Sequence, residues 1–338
     1  MYKRQGLTLC SGPLLLSLFP FLVVSRLLVQ CPESDLLALP FRLAAWGIGI
    51  RTPCAARVLC IGFLGGFAPA ASAAAQAVRT GQLTAEEADA LLPACICSGP
   101  SFVVLTVGQS LLGSAELGVL LFASQITANY LTAALLNRFA GVRSVKPGSA
   151  APASPAPPQL DEILADAAIT YCKLCGFILF FRMLAAGAGA LLPAGAGTLC
   201  AVLLEVCSGC DLASRTGRWG SLLCCAALSV QGLSVLLQVR TICPPEMTLR
   251  PLYRARMLHL PLSLALFYLL LPGGEADVFS TLPARVLLMR RVPPDCALLV
   301  FAVCCMAACT LRSGIRQVEQ KQMARNAGGC CINSKTLL

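Results

Sequence analysis

Uncharged runs long enough to cross a bilayer recur along this chain, separated by short polar or basic stretches. Residues 58–78, 90–115, 117–137 and 219–239 contain no Asp, Glu, Lys or Arg. A membrane helix needs about 20 mainly apolar residues, so each run is a candidate span. Residues 167–193 are nearly as apolar but carry Lys173 and Arg182, 257–272 is similar, and 296–311 is a shorter uncharged run. The opening run, 7–28, follows Lys3 and Arg4 without a clear small-x-small cleavage site, and is read as a retained first span. Residues 36–50 differ: Arg42 and Arg51 interrupt or flank them and Trp46 sits near their end, which predicts an interfacial helix.

Helix breakers fall inside several of these runs. The first half has Gly65-Gly66-Phe67-Ala68-Pro69 and then Ser98-Gly99-Pro100-Ser101; the second has Ser208-Gly209-Cys210 and then Gln231-Gly232-Leu233-Ser234. Pro removes an amide donor and Gly weakens a helix, so backbone freed there must find partners in protein or in a water-lined cavity. Paired interruptions in corresponding places of two halves point to a transporter site. Laying Gly99 on Gly232 also lays Ser101 on Ser234, a weak internal repeat. Ordinary close packing through small residues is the competing reading of the same glycines. Between the first two breaks, Thr84 and Glu87 have capping-box spacing and predict a helix start.

Residues 141–158, GVRSVKPGSAAPASPAPP, are rich in Pro, Ala and Ser, and predict a linker that cannot cross lipid. The expected organisation is a first span and interfacial helix over 1–53, repeat one over 54–138, a linker over 139–160, repeat two over 161–272, and a last span with basic tail over 273–338. Asp161, Glu162 and Asp166 suit the positive N-terminal end of the helix after the linker.

Composition agrees with membrane residence: 57% hydrophobic and 12% charged residues, with a mean hydropathy of +0.76. Soluble domains carry about 25% charge. The net charge of +10 is concentrated between apolar runs and in the tail, at Arg138, Arg143, Lys146, Arg312, Arg316 and Lys321. Cytoplasmic loops rich in Lys and Arg account for it, and no basic–aromatic interleaving suggests nucleic acid. Arg285, Arg290 and Arg291 run against a simple topology, so orientation and span count stay open. The 20 cysteines lie mostly in apolar runs and are read as small hydrophobes. Two CxxC spacings, Cys172/Cys175 and Cys207/Cys210, have only His259 as a potential His partner, so no metal site and no cofactor is expected.

The order of these motifs resembles a known family. GGFAPAASAAAQAVRTGQLTAEEADALLPACICSGPSF, LLEVCSGC and QGLSVLLQV are similar to signatures of the YlbJ family of sporulation integral membrane proteins, within the nucleoside-recognition Gate domain superfamily. The chain departs from the family pattern at Ile96 and Cys97, where the family has an Asn pair, at Phe67-Ala68, and at Leu236 in place of a His. The resemblance implies an all-α polytopic bundle with two related halves containing broken or re-entrant helices. It also implies a role in endospore formation, movement of dipicolinate, and residence in the outer forespore membrane.

The functional expectation is a multi-pass permease for a small anionic metabolite, because half-helix N-termini offer free amides and positive dipole ends. The candidate substrate-binding residues are Gly65, Gly66, Ser98, Gly99, Pro100, Ser101, Glu205, Ser208, Gly209, Gln231, Gly232 and Ser234. Glu205 is a candidate for proton coupling or cation contact, and Arg182 for pairing with it or snorkelling to an interface. The alternative is a membrane assembly or scaffold protein on a degenerate Gate module. Enzyme chemistry is not expected: there is one His, no HExxH and no GxxxxGK[ST], and Gly108–Gly113 misses GxSxG by one residue. The expected partners are the lipid bilayer and a small-molecule substrate, with homo-oligomer formation left open.

Overall fold

Alternating apolar runs and breakers yield a bundle of short and long helices. The computed structural model describes residues 13–30, 36–141 and 160–271, all within one compact unit. Among them are twelve α-helices, one π-helix and one 3₁₀ turn, with no strand, so the fold is all-α. The expected linker beyond Gly141 and the last span, with the region 273–338, lie outside the described residues.

Helix α1 (Pro13–Gln30) leads to α2 (Leu39–Ile48) and α3 (Pro53–Gly65). The last two turn through 105° about Gly49, whose φ is 97°. Ten residues make α2 only about 15 Å long, half a bilayer core, so it cannot cross unaided. Next come α4 (Phe67–Arg79), α5 (Ala85–Cys95), the π-helix Ser101–Leu111 and α6 (Ala115–Ala140). Thr84 caps α5 in the predicted box: its hydroxyl accepts from the Glu87 amide at 3.1 Å, and the Glu87 carboxylate accepts from the Thr84 amide at 3.2 Å.

The second half follows a similar order without a counterpart of α2. Helix α7 (Leu160–Leu191) precedes α8 (Ala194–Leu204), α9 (Val206–Ser214), the 3₁₀ turn Gly217–Trp219, α10 (Gly220–Val230), α11 (Gly232–Ile242) and α12 (Arg250–Leu270). Helices α6 and α7, and the stretch Gly217–Ile242, are long and apolar enough to cross a membrane; the bent α2–α3 pair makes a fourth candidate. The long apolar helices make this a multi-pass helical membrane bundle.

Contacts between elements come in exchanged pairs. Helix α5 packs on α6 and α12, and α10 packs on α12 and α6; α4 packs on α11, and α9 on the π-helix. Helix α1 meets α7, and α6 meets α12. The two halves thus follow one plan and swap partners, with α6 and α12 packed side by side. Polar side chains tie these elements together. Asn137 of α6 donates to the carbonyls of Ile48 (3.1 Å) and Ala90 (3.0 Å), while buried Asp89 accepts from the Thr248 amide (2.8 Å) and hydroxyl (2.7 Å) and the Leu249 amide (3.1 Å).

Candidate functional site

In the first half, α3 ends at Gly65 and α4 restarts at Phe67, with Gly66 between them at φ 82°. That conformation is strained for any residue with a Cβ. Space forbids one as well: a Cβ on Gly66 would lie 2.7 Å from the Gly99 nitrogen and 3.2 Å from the Cys97 carbonyl oxygen. The first break therefore lies directly on the second, backbone against backbone. Gly99 is less confined, since its Cβ would meet the Gly65 carbonyl oxygen at 3.4 Å. The chain leaves the second break through Pro100 into the π-helix, a rare form that clusters at functional sites. Gly108 of the π-helix lies against the backbone of Gly118 on α6, with no room for a side chain at either position.

The second half closes the same way, but its first break is not where the sequence suggested. Ser208 and Gly209 lie inside α9; the helix is interrupted three residues earlier, at Glu205, which adopts φ −153° and ψ 125°. The breaker is an acidic side chain acting as a cap rather than a glycine. The Glu205 carboxylate accepts from the amides of Cys207 (2.8 Å) and Ser208 (2.7 Å) and from the Ser208 hydroxyl (2.8 Å). Gly209 instead permits α9 to cross α8, for its Cβ would lie 2.8 Å from the Val202 Cα. The other break is at Gln231-Gly232 as expected. Gly232 has φ 72°, and its Cβ would lie 2.9 Å from the Glu205 nitrogen and the Leu204 carbonyl oxygen.

One side chain from α12 joins the segments that lead into the second break of each half. Arg256 donates to the carbonyl of Ile96, just past the end of α5, at 2.7 Å, and reaches that of Ser229, in the last turn of α10, at 3.4 Å. These carbonyls carry the negative ends of two helix dipoles. Arg256 is 7% exposed, its Nε has no hydrogen-bond partner, and it forms no ion pair among the described residues. Around it, Gln125 donates to Ser229 Oγ at 2.9 Å and to the Cys225 carbonyl at 3.2 Å, and His259 Nε2 donates to the Gln125 carbonyl at 3.2 Å. Asn129 reaches the Ile96 carbonyl at 3.4 Å.

Several polar atoms here are buried without partners: Asn129 Oδ1, His259 Nδ1, and both amide atoms of Gln231. Folded proteins pair nearly all such groups, so a cluster of exceptions is unusual. Gln231 is further marked by φ 60°, a left-handed conformation uncommon outside glycine.

Of the expected site residues, Gly65, Gly66, Gly99, Glu205 and Gly232 form the two contacts. Ser98 is buried in the second break, Pro100 is half-buried, and Ser101 is exposed at the start of the π-helix. Ser234 is buried and accepts from Gln238 at 3.0 Å. Arg182 does not pair with Glu205, whose oxygens are taken by its own helix. The residue missed is Arg256. Its signal was periodicity: Arg256, His259 and Ser263 on α12, and Gln125, Asn129 and Thr132 on α6, are polar positions at helical spacing, all buried. Among the described residues, no group of three or more His, Cys, Asp or Glu is placed to hold a metal ion.

These features define a multi-pass helical membrane protein with two closed pairs of helix breaks and a buried cation that ties together the carbonyls of Ile96 and Ser229. No family model, no characterised protein and no solved structure matches the chain.

Proposed function

We propose that the chain is a permease for a small organic anion, with Arg256 as the group that attracts the anion between the two pairs of breaks. The observation that carries this reading is a guanidinium 7% exposed, with no carboxylate partner, against the closing carbonyls of both halves. Ionisable groups inside membrane bundles are costly and concentrate along substrate and ion pathways. An anion would neutralise Arg256 and occupy its free Nε–H. The exchanged packing of the halves suits rocking of one half against the other, and broken helices at the repeat interface are a recurrent transporter device. The resemblance to the YlbJ family favours a dicarboxylate such as dipicolinate, with a role in sporulation and a place in the outer forespore membrane.

A second reading, a non-transporting assembly module, is favoured by one observation: both break pairs are shut backbone to backbone. Flux separates the two. The full chain, purified and reconstituted in proteoliposomes, should take up labelled dipicolinate above protein-free vesicles and leave a nucleoside outside. No uptake of either compound would favour the assembly reading.

A further inference from the structure

A second polar site lies away from the breaks, between α1, α4, α7 and α11. It is a small cleft of about 130 Å³. Arg26, Arg79 and Lys173 line it against a single carboxylate, Asp166. Asp166 is already engaged by Arg26, which is 7% exposed and also reaches the Ser72 hydroxyl at 3.3 Å. Arg79 and Lys173 are exposed and form no ion pair among the described residues. Deep in the cleft sits Gln238, 2% exposed, whose Oε1 has no hydrogen-bond partner. Its amide can rotate so that the nitrogen faces the cleft while the oxygen accepts from Ser234. A second opening shares Arg79 and Thr241 with the cleft and brings in Glu246 on its far side.

We infer that this cleft binds a phosphate group. The chemistry is an anion with several acceptor oxygens, met by two cations without ion partners and a buried amide. The surroundings point to where the phosphate comes from. Ile169, 55% exposed, and Phe177 flank the charged floor on α7, a candidate span whose most apolar stretch is only 17% buried. A headgroup seated on Arg79 and Lys173 would leave its acyl chain along that apolar face. Basic pockets between membrane helices recognise anionic lipid headgroups in this way. A soluble phosphate ester shares the headgroup chemistry but gains nothing from the flank. The proposal does not depend on the permease reading: Arg79 and Lys173 stand apart from the breaks, and of the residues it uses only Ser234, which holds the far side of the Gln238 amide, belongs to one.

The test uses the full chain in neutral detergent and reads its thermal midpoint. Phosphatidylglycerol, phosphatidylcholine and glycerol 1-phosphate are added in separate arms. Binding of the anionic lipid should raise the midpoint by about 4 °C, with no rise from phosphatidylcholine. The double variant R79Q/K173Q should keep the unliganded midpoint and lose most of that rise, since both side chains are exposed and unpaired. A rise with glycerol 1-phosphate and none with phosphatidylglycerol would retain the phosphate site and assign it to a soluble ester. No rise in any arm, or an undiminished lipid effect in the double variant, would overturn the proposal.

Discussion

Arg256 donates a 2.7 Å hydrogen bond to the carbonyl oxygen of Ile96, a residue 160 positions earlier in the chain. The bond places a cation from the last described helix on the buried C-terminal end of a helix in the first half. It joins two elements that sequence separation gives no reason to connect.

Replacing Arg256 by Gln removes the charge and keeps one donor. Anion uptake in proteoliposomes should fall at least about tenfold, equivalent to about 1.4 kcal/mol or more. Stability should change less than for an ordinary buried ion pair, because removal abandons no carboxylate. Arg256→Lys keeps a point charge without the planar fork, and should retain part of the uptake. Uptake in R256Q equal to wild type would remove Arg256 from the pathway.

The glycines should rank by the space around them. Gly66→Ala and Gly232→Ala add a Cβ at 2.7 and 2.9 Å from backbone atoms at positive φ, and each should cost about 1–3 kcal/mol in denaturant or thermal melts. Gly99→Ala should be tolerated because its neighbour lies at 3.4 Å, whereas Gly99→Leu should force the breaks apart and abolish uptake. Gly176→Ala on α7 meets nothing within 4 Å and should be neutral or stabilise by up to about 1 kcal/mol. Equal costs at all four sites would argue against a closed pair of breaks.

Glu205 should behave as a cap rather than a proton carrier. Glu205→Ala leaves the amides of Cys207 and Ser208 without their acceptor and should cost about 1–2 kcal/mol. Glu205→Gln keeps one acceptor oxygen and should cost less. If capping is its role, the pH profile of uptake in E205Q will overlay that of wild type. A profile flattened by the neutral side chain would restore proton coupling.

Asn137→Leu withdraws one amide from two buried carbonyls, those of Ile48 and Ala90. Each abandoned acceptor costs about 1–3 kcal/mol, so a drop of several degrees in the melting midpoint is expected. Asn137→Asp cannot donate and should be at least as damaging.

The class of fold was legible because a bilayer demands long uncharged runs and internally satisfied backbone. Three of the four breaks were legible because Gly-Gly, Gly-Pro and Gln-Gly announce themselves. The fourth was displaced by three residues: Ser208-Gly209 imitates a breaker, whereas Glu205 interrupts the chain by turning its own carboxylate onto the next helix. A glutamate in an apolar run reads first as chemistry, and its use as a cap depends on backbone angles that composition does not encode. Arg256 escaped notice for a related reason. It stands one residue before the apolar run 257–272 and resembles a flanking interfacial charge, while its burial comes from contacts with helices far earlier in the chain.

The long reach of α12 also sets an order of events at the ribosome. Asp89 receives its partners only when Thr248 and Leu249 have been made, and the Ile96 carbonyl gains its short bond only with Arg256. A nascent chain that has inserted everything up to α11 still lacks one of the helices that join its two halves. Until α12 arrives, those polar groups sit at an unfinished seam facing lipid or translocation machinery. A stop codon or a stall before residue 248 would therefore leave a product recognisable to membrane quality control as unsealed, even with every earlier span in place.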